Sequence, residues 1–143
     1  MKGDYRINIV AVDFDDTINF GVIDDDIDKC TYFFNRKAIE VLTKFQQRGG
    51  KVILWTCRSG EHLEEAVTLL DKVGHFKPDY INEDCEEIAT RYKDKIEEAG
   101  VTTTTFPKGR KIYADLYIDD RNSVWRSINW AEIAEWLEQK YEK

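Results

Sequence analysis

Three short polar clusters break the apolar stretches of this 143-residue chain: Asp13-Phe14-Asp15-Asp16-Thr17, Thr56-Cys57-Arg58 and Asp119-Asp120-Arg121. If a fold gathers them, several carboxylates share one crevice. Each such pair costs roughly 4 kcal/mol at ~4 Å and an effective dielectric near 20. That is a large share of the roughly 5–15 kcal/mol that holds a domain together. A divalent cation removes the conflict. Every candidate ligand is an oxygen donor, and no His or Cys lies nearby at ligand spacing, so the set suits Mg²⁺ rather than zinc.

The elements that would position these clusters are legible from hydrophobic pattern. Ile7 to Val12 is a continuous β-branched run ending abruptly in Asp13, as expected of a strand covered on both faces. Phe34, Ala38, Leu42 and Phe45 recur at helical spacing, and Gly49-Gly50 stop that helix. Lys51 to Trp55 forms a second strand, with Trp55 in the core, and delivers Thr56-Cys57-Arg58. Leu63, Ala66, Val67 and Leu70 mark the next helix, with Ser59 as its N-cap. A short strand surrounds Tyr80-Ile81. Ile88, Tyr92 and Ile96 line a helix opened by an Asp84/Glu87 capping box. Val101 to Thr105 reads as a loop or edge strand. Ile112 to Ile118 is the last strand. Asn129 caps a final helix bearing Trp130, Ile133, Ala134, Leu137 and Tyr141, and Trp125, Trp130 and Trp136 are expected to pack it onto the sheet.

Strands alternating with helices at this spacing imply an α/β fold, a doubly wound parallel sheet in three layers, with residues 1–143 as one domain. Ligands in such sheets bind beyond the carboxyl ends of the strands, where the strand order reverses. The three polar clusters all end strands.

Asp13-Phe14-Asp15-Asp16-Thr17 resembles the D-x-D-x-T signature of the haloacid dehalogenase-like (HAD) phosphohydrolase superfamily. Thr56 is similar to that family's second motif, a basic residue before the last strand to its third, and Asp119-Asp120 to its paired acidic fourth. The resemblance spans about residues 7 to 121 and implies a Rossmann-like HAD core and a phosphatase. A phosphomonoester dianion repels nucleophiles, so such a site must neutralise charge, align an attacker and protonate the leaving oxygen. By the resemblance, Asp13 attacks phosphorus to form an aspartyl-phosphate, and Asp15 acts as general acid, then base. Mg²⁺ would be held by Asp13, the Asp15 carbonyl, Asp119 and Asp120. Thr56 and Lys111 would bind phosphoryl oxygens, with Lys108 the alternative lysine. Arg58 resembles a T-x-R variant that contacts substrate, against which stands a surface pairing with Asp16 or Glu61. Thr17 would steady the loop.

The family position held here by Asp16 is often Gly. Only 38 residues separate Thr17 from Thr56, so no cap domain is expected and the site should be open. The Asp24-Asp25-Asp26 cluster with Asp28 lacks the Gly and Glu of a calcium loop and reads as a solvated flap. His62 and His75 are expected to be isolated on the surface.

Composition narrows the partners. Twenty-eight acidic against 21 basic residues give a net charge of −7, a sign that opposes general binding to phosphate backbones or anionic lipid. A small phosphorylated metabolite or a nucleotide is the expected substrate, with a nucleic-acid 3′ end a specialised alternative suggested by similarity to 3′-phosphatase domains. No apolar run approaches the ~20 residues of a bilayer span, and Met1 to Arg6 lacks the apolar stretch of a secretory signal. Cys30, Cys57 and Cys85 form no C-x-x-C pair. A cytoplasmic, membrane-free chain is expected. The competing readings are a receiver-type module phosphorylated on aspartate and a catalytically silent scaffold.

Overall fold

The computed structural model describes residues 6–86, 88, 90, 112–122 and 128–140. β1 (Ile9–Val12), β2 (Lys51–Leu54), β3 (Tyr80–Ile81) and β4 (Leu116–Ile118) pair in parallel in the order β3-β2-β1-β4. The chain moves outward from β1 to β3 and then crosses to β4 on the other side of β1. The fold is thus a doubly wound α/β sheet whose order reverses between β1 and β4. Receiver modules follow the different order 2-1-3-4-5.

Successive strand residues face opposite sides, which sorts the core into two layers. Val10, Val12, Val52, Leu54 and Ile118 meet α1 (Arg36–Gln47), α2 (Gly60–Lys72) and α3 (Trp130–Lys140) through Leu42, Phe45, Leu70, Ile133 and Leu137. Ile9, Ala11 and Ile53 face Cys85, Ile88, Ile112 and Ala114 on the other side. α1 is capped by Asn35, whose Oδ1 accepts the Ala38 amide at 3.1 Å. It ends where a Cβ on Gly50 would meet the Phe45 ring at 2.4 Å. Asn129 caps α3, accepting the Glu132 amide at 3.1 Å. Ser59 occupies the cap position of α2 without a side-chain bond.

Several expectations are corrected. β4 is shorter than Ile112 to Ile118 because the backbone of residues 112–114 pairs with side chains. The Tyr113 amide donates to Asp84 Oδ1 at 2.7 Å, the Ala114 amide to the Tyr117 hydroxyl at 3.1 Å, and that hydroxyl to the Ile112 carbonyl. Trp55 lies one residue past β2 and is 37% exposed, so it is not core. Trp130 is buried, but Trp136 is 43% exposed because Ile133 and Leu137 take the inward stripe of α3. Trp125, the helix beyond residue 90 and the segment Val101 to Thr105 lie outside the described residues.

Between Asp13 and Thr56 the chain contributes a flap, α1 and β2. No helix among the described residues is long and apolar enough to cross a membrane. The three cysteines are free thiols.

Candidate active site

Register decides which side chains meet. Val12 is level with Leu54 on one side and Ile118 on the other. The Asp13 amide donates to the Ile118 carbonyl at 2.9 Å and the Trp55 amide to the Val12 carbonyl at 2.8 Å. Asp13 and Asp119 therefore leave adjacent strands at the same height, at the switch point. One carboxylate oxygen from each of Asp13, Asp119 and Asp120 lies within 4.8 Å of the other two. Asp119 Oδ1 accepts the Arg121 amide at 2.9 Å, fixing the turn that presents the pair.

Burial pushes Asp13 from 3.8 up to about 7; the Phe14 amide opposes this and the charges of Asp119 and Asp120 add to it. Asp120 is also raised, by burial first and then by Asp119. Three converging oxygen donors under mutual repulsion fit a hard divalent cation. A raised carboxylate binds more protons folded than unfolded. The metal-free chain should therefore lose stability as pH rises from about 4 through 7. An ion that satisfies the ionised cluster reverses that loss. Mg²⁺ at about 100 times its Kd is expected to raise Tm by roughly 5–10 °C at pH 8 and by much less at pH 5. Equal shifts in thermal melts at both pH values would place the ion elsewhere.

The turn after β1 is built on the Phe14 carbonyl, which accepts the amides of Thr17, Ile18 and Asn19 at 3.3, 2.9 and 2.9 Å. Asp16 has φ +62°. This left-handed conformation is one that Gly takes freely and Asp tolerates better than most residues, which gives a backbone reason for Gly at that position. Thr17 is buried, and its hydroxyl has no hydrogen-bond partner among the described residues. Its local turn bond, to the Phe14 carbonyl, is made by its amide and not its side chain.

Asn19 anchors the flap. It is fully buried, and its Oδ1 accepts the Gly21 and Phe33 amides at 3.0 and 2.8 Å, while Nδ2 reaches Asp15 Oδ1 at 3.3 Å. The flap continues as a hairpin with Phe20 donating to Phe33 and Thr31 to Val22. Gly21 permits the close approach, since a Cβ there would sit 1.9 Å from the Thr31 carbonyl oxygen. His62 is not isolated: its Nε2 lies 2.8 Å from the Asp24 carbonyl, and because a carbonyl only accepts, that nitrogen carries the proton. This ties the flap to α2.

Thr56 follows β2. Its amide donates to Asn82 Oδ1 at 2.8 Å and its hydroxyl oxygen accepts the Arg58 amide at 3.1 Å, which leaves the hydroxyl proton to donate elsewhere. Arg58 pairs with neither Asp16 nor Glu61. Its Nε and Nη2 donate to the two Asp15 carboxylate oxygens at 2.8 Å each, and Nη1 to the Tyr32 hydroxyl at 2.9 Å. The partner is Asp15, and the side chain is only 4% exposed. Burial lowers the Arg58 pKa, but the hydrogen bonds and charge of Asp15, aided by Tyr32, outweigh it and leave the group raised.

Of the expected site residues, Asp13, Asp119 and Asp120 form one cluster, Asp15 and Arg58 pair, and Thr56 stands at the neighbouring strand end. Lys111 and Lys108 lie outside the described residues. Asn19 and Asn82 are not among the site residues expected from sequence. The available signals were a polar Asn between Ile18 and Phe20, and an Asn directly after the β3 dipeptide.

The sequence matches no family profile, and no curated protein matches it. Among solved structures, a conserved protein from Bacteroides thetaiotaomicron is 29% identical, with a TM-score of 0.62 over 94% of this chain and 92% of that one. A cobalt-bound deoxy-D-mannose-octulosonate 8-phosphate phosphatase from Haemophilus influenzae is 19% identical, with a TM-score of 0.40 over 71% of this chain and 56% of its own. The 3-deoxy-D-manno-octulosonate 8-phosphate phosphatase of Moraxella catarrhalis, in complex with magnesium, phosphate and KDO, is 16% identical, with a TM-score of 0.39 over 71% and 55%. The chain spans little more than half the length of these two phosphatases.

Proposed function

We propose that this chain is a Mg²⁺-dependent phosphomonoester hydrolase of the HAD-like type, working through an aspartyl-phosphate on Asp13. The observation that carries the reading is the convergence of Asp13, Asp119 and Asp120 within 4.8 Å at the switch point of a doubly wound sheet. Asp13, the Asp15 carbonyl, Asp119 and Asp120 would hold Mg²⁺, which supplies charge neutralisation for the phosphoryl group. Asp13 attacks phosphorus as the ester oxygen departs, and Asp15 gives that oxygen a proton. Asp15 then takes a proton from the water that hydrolyses the acyl-phosphate, returning the carboxylate. Thr56 and Lys111 donate to the phosphoryl oxygens.

The substrate class that fits best is a small phosphorylated metabolite or a nucleotide. Only the flap and α1 intervene between Asp13 and β2, so the crevice admits larger molecules, yet the net charge of −7 disfavours a nucleic-acid 3′ end. The receiver reading is further weakened because β1 is flanked by β2 and β4.

Incubation with an aryl phosphate and Mg²⁺ tests the proposal. Steady release of phosphate, abolished by chelator and restored by Mg²⁺, is expected. A single stoichiometric burst would favour a receiver, and silence a scaffold.

A further inference from the structure

Arg58 is buried at a cost that stability alone does not explain. A guanidinium taken out of water costs several kcal/mol, and a buried ion pair is often no more stabilising than packed apolar residues of the same volume. Arg58 is nevertheless enclosed with its side chain 4% exposed and that of Asp15 only 18%. Its Nε–Nη2 edge forks onto both Asp15 oxygens at 2.8 Å. A two-point contact of this kind fixes the plane of the carboxylate as well as its place. The fork is itself held from behind. Tyr32 accepts from Nη1 at 2.9 Å, and the guanidinium carbon lies 5.1 Å from the Phe14 ring centroid and 5.3 Å from that of Tyr32. Asn19 Nδ2 adds a third contact on Asp15 Oδ1.

Contacts from two separate segments thus converge on one carboxylate, Asn19 from the flap's first strand and Arg58 from the loop after β2, while Tyr32 from the flap's second strand holds Arg58. A residue meant to grip the substrate would keep its donors toward the crevice. Four of the five N–H donors of Arg58 are spent on Asp15, Tyr32 and the His62 carbonyl. We propose that Arg58 is a positioning residue that acts through Asp15, holding its carboxylate where the leaving oxygen will be, with Tyr32 bracing Arg58 from the flap. The inference rests on the phosphatase reading, in which Asp15 exchanges the proton.

A kinetic double-mutant cycle tests it, using wild type, Arg58→Ala, Arg58→Lys, Asp15→Asn and Asp15→Asn/Arg58→Ala on an alkyl phosphate. Inorganic phosphate serves as competitive inhibitor. Arg58→Ala is expected to lower kcat by about 10- to 100-fold, the scale of a small misplacement of a reacting group, with the inhibition constant of phosphate unchanged within about twofold. Arg58→Lys should restore part of kcat. In the Asp15→Asn background the loss of Arg58 should cost nothing further, because the group it positions is already disabled. Tyr32→Phe gives a second readout should Arg58→Ala not fold, with a smaller fall confined to kcat. A phosphate inhibition constant weakened tenfold or more, or a full additional loss in the Asp15→Asn background, would overturn the proposal. Wild-type inactivity on every phosphate would instead overturn the phosphatase reading and this inference with it.

Discussion

Asp13→Asn is expected to abolish phosphate release while leaving the fold intact or slightly stabilised. On the activity side, an amide cannot form the acyl-phosphate, and loss of a covalent nucleophile costs on the order of 10⁴- to 10⁶-fold. Little background remains, since uncatalysed phosphomonoester hydrolysis is slow enough for enzymes to accelerate it by up to ~10²¹-fold. On the stability side, Asp13 sits with Asp119 and Asp120 within 4.8 Å, and burial and its neighbours push it up to about 7. Asn removes one charge from that cluster, so above pH 7 the metal-free variant should melt at or above the wild-type temperature. It should also respond less to Mg²⁺. Retained turnover would remove Asp13 as nucleophile, and a lower Tm in chelator would mean that the three carboxylates do not repel as placed.

The parts of this arrangement legible in the sequence are those governed by local periodicity. Ile9–Val12 and Lys51–Leu54 read as strands because both faces of each are covered, and a continuous apolar run records that. Their polar termini, Asp13 and Thr56, follow from where the runs stop. Asp119 is placed opposite Asp13 by parallel register alone, once β4 is adjacent to β1. What stayed hidden depends on long-range pairing. Arg58 meets Asp15 across 43 residues, and neither residue carries a local mark of the other, whereas Glu61 is only three residues from Arg58. Tyr32 and Asn19 sit in a flap whose composition, with four aspartates at 24–26 and 28, reads as solvated loop. Their burial comes from the hairpin folding back on Phe14 and Arg58. The strand at Ile112 was overestimated because side-chain acceptors, Asp84 and Tyr117, replace the neighbouring strand there.

Asp15→Asn is expected to separate the two halves of the proposed chemistry by leaving group. The choice of Asn follows from the fork: Asp15→Ala would strand a guanidinium that is nearly fully covered, and removing one partner of a buried pair costs about 3–5 kcal/mol. A fall in activity would then report unfolding. Asn keeps one oxygen for Arg58 and removes the ability to give or take a proton. Alkyl phosphates, whose departing alkoxides need protonation, should lose about 10²- to 10⁴-fold in kcat. Aryl phosphates, whose leaving groups depart as stable anions, need no such proton in the first step and should lose much less there. Their second step still needs a base for water, so acyl-enzyme should accumulate and a burst of aryl alcohol should precede a slow steady state. Equal losses on both substrates with no burst would contradict the proton-transfer role and leave Asp15 as an anchor for Arg58 alone.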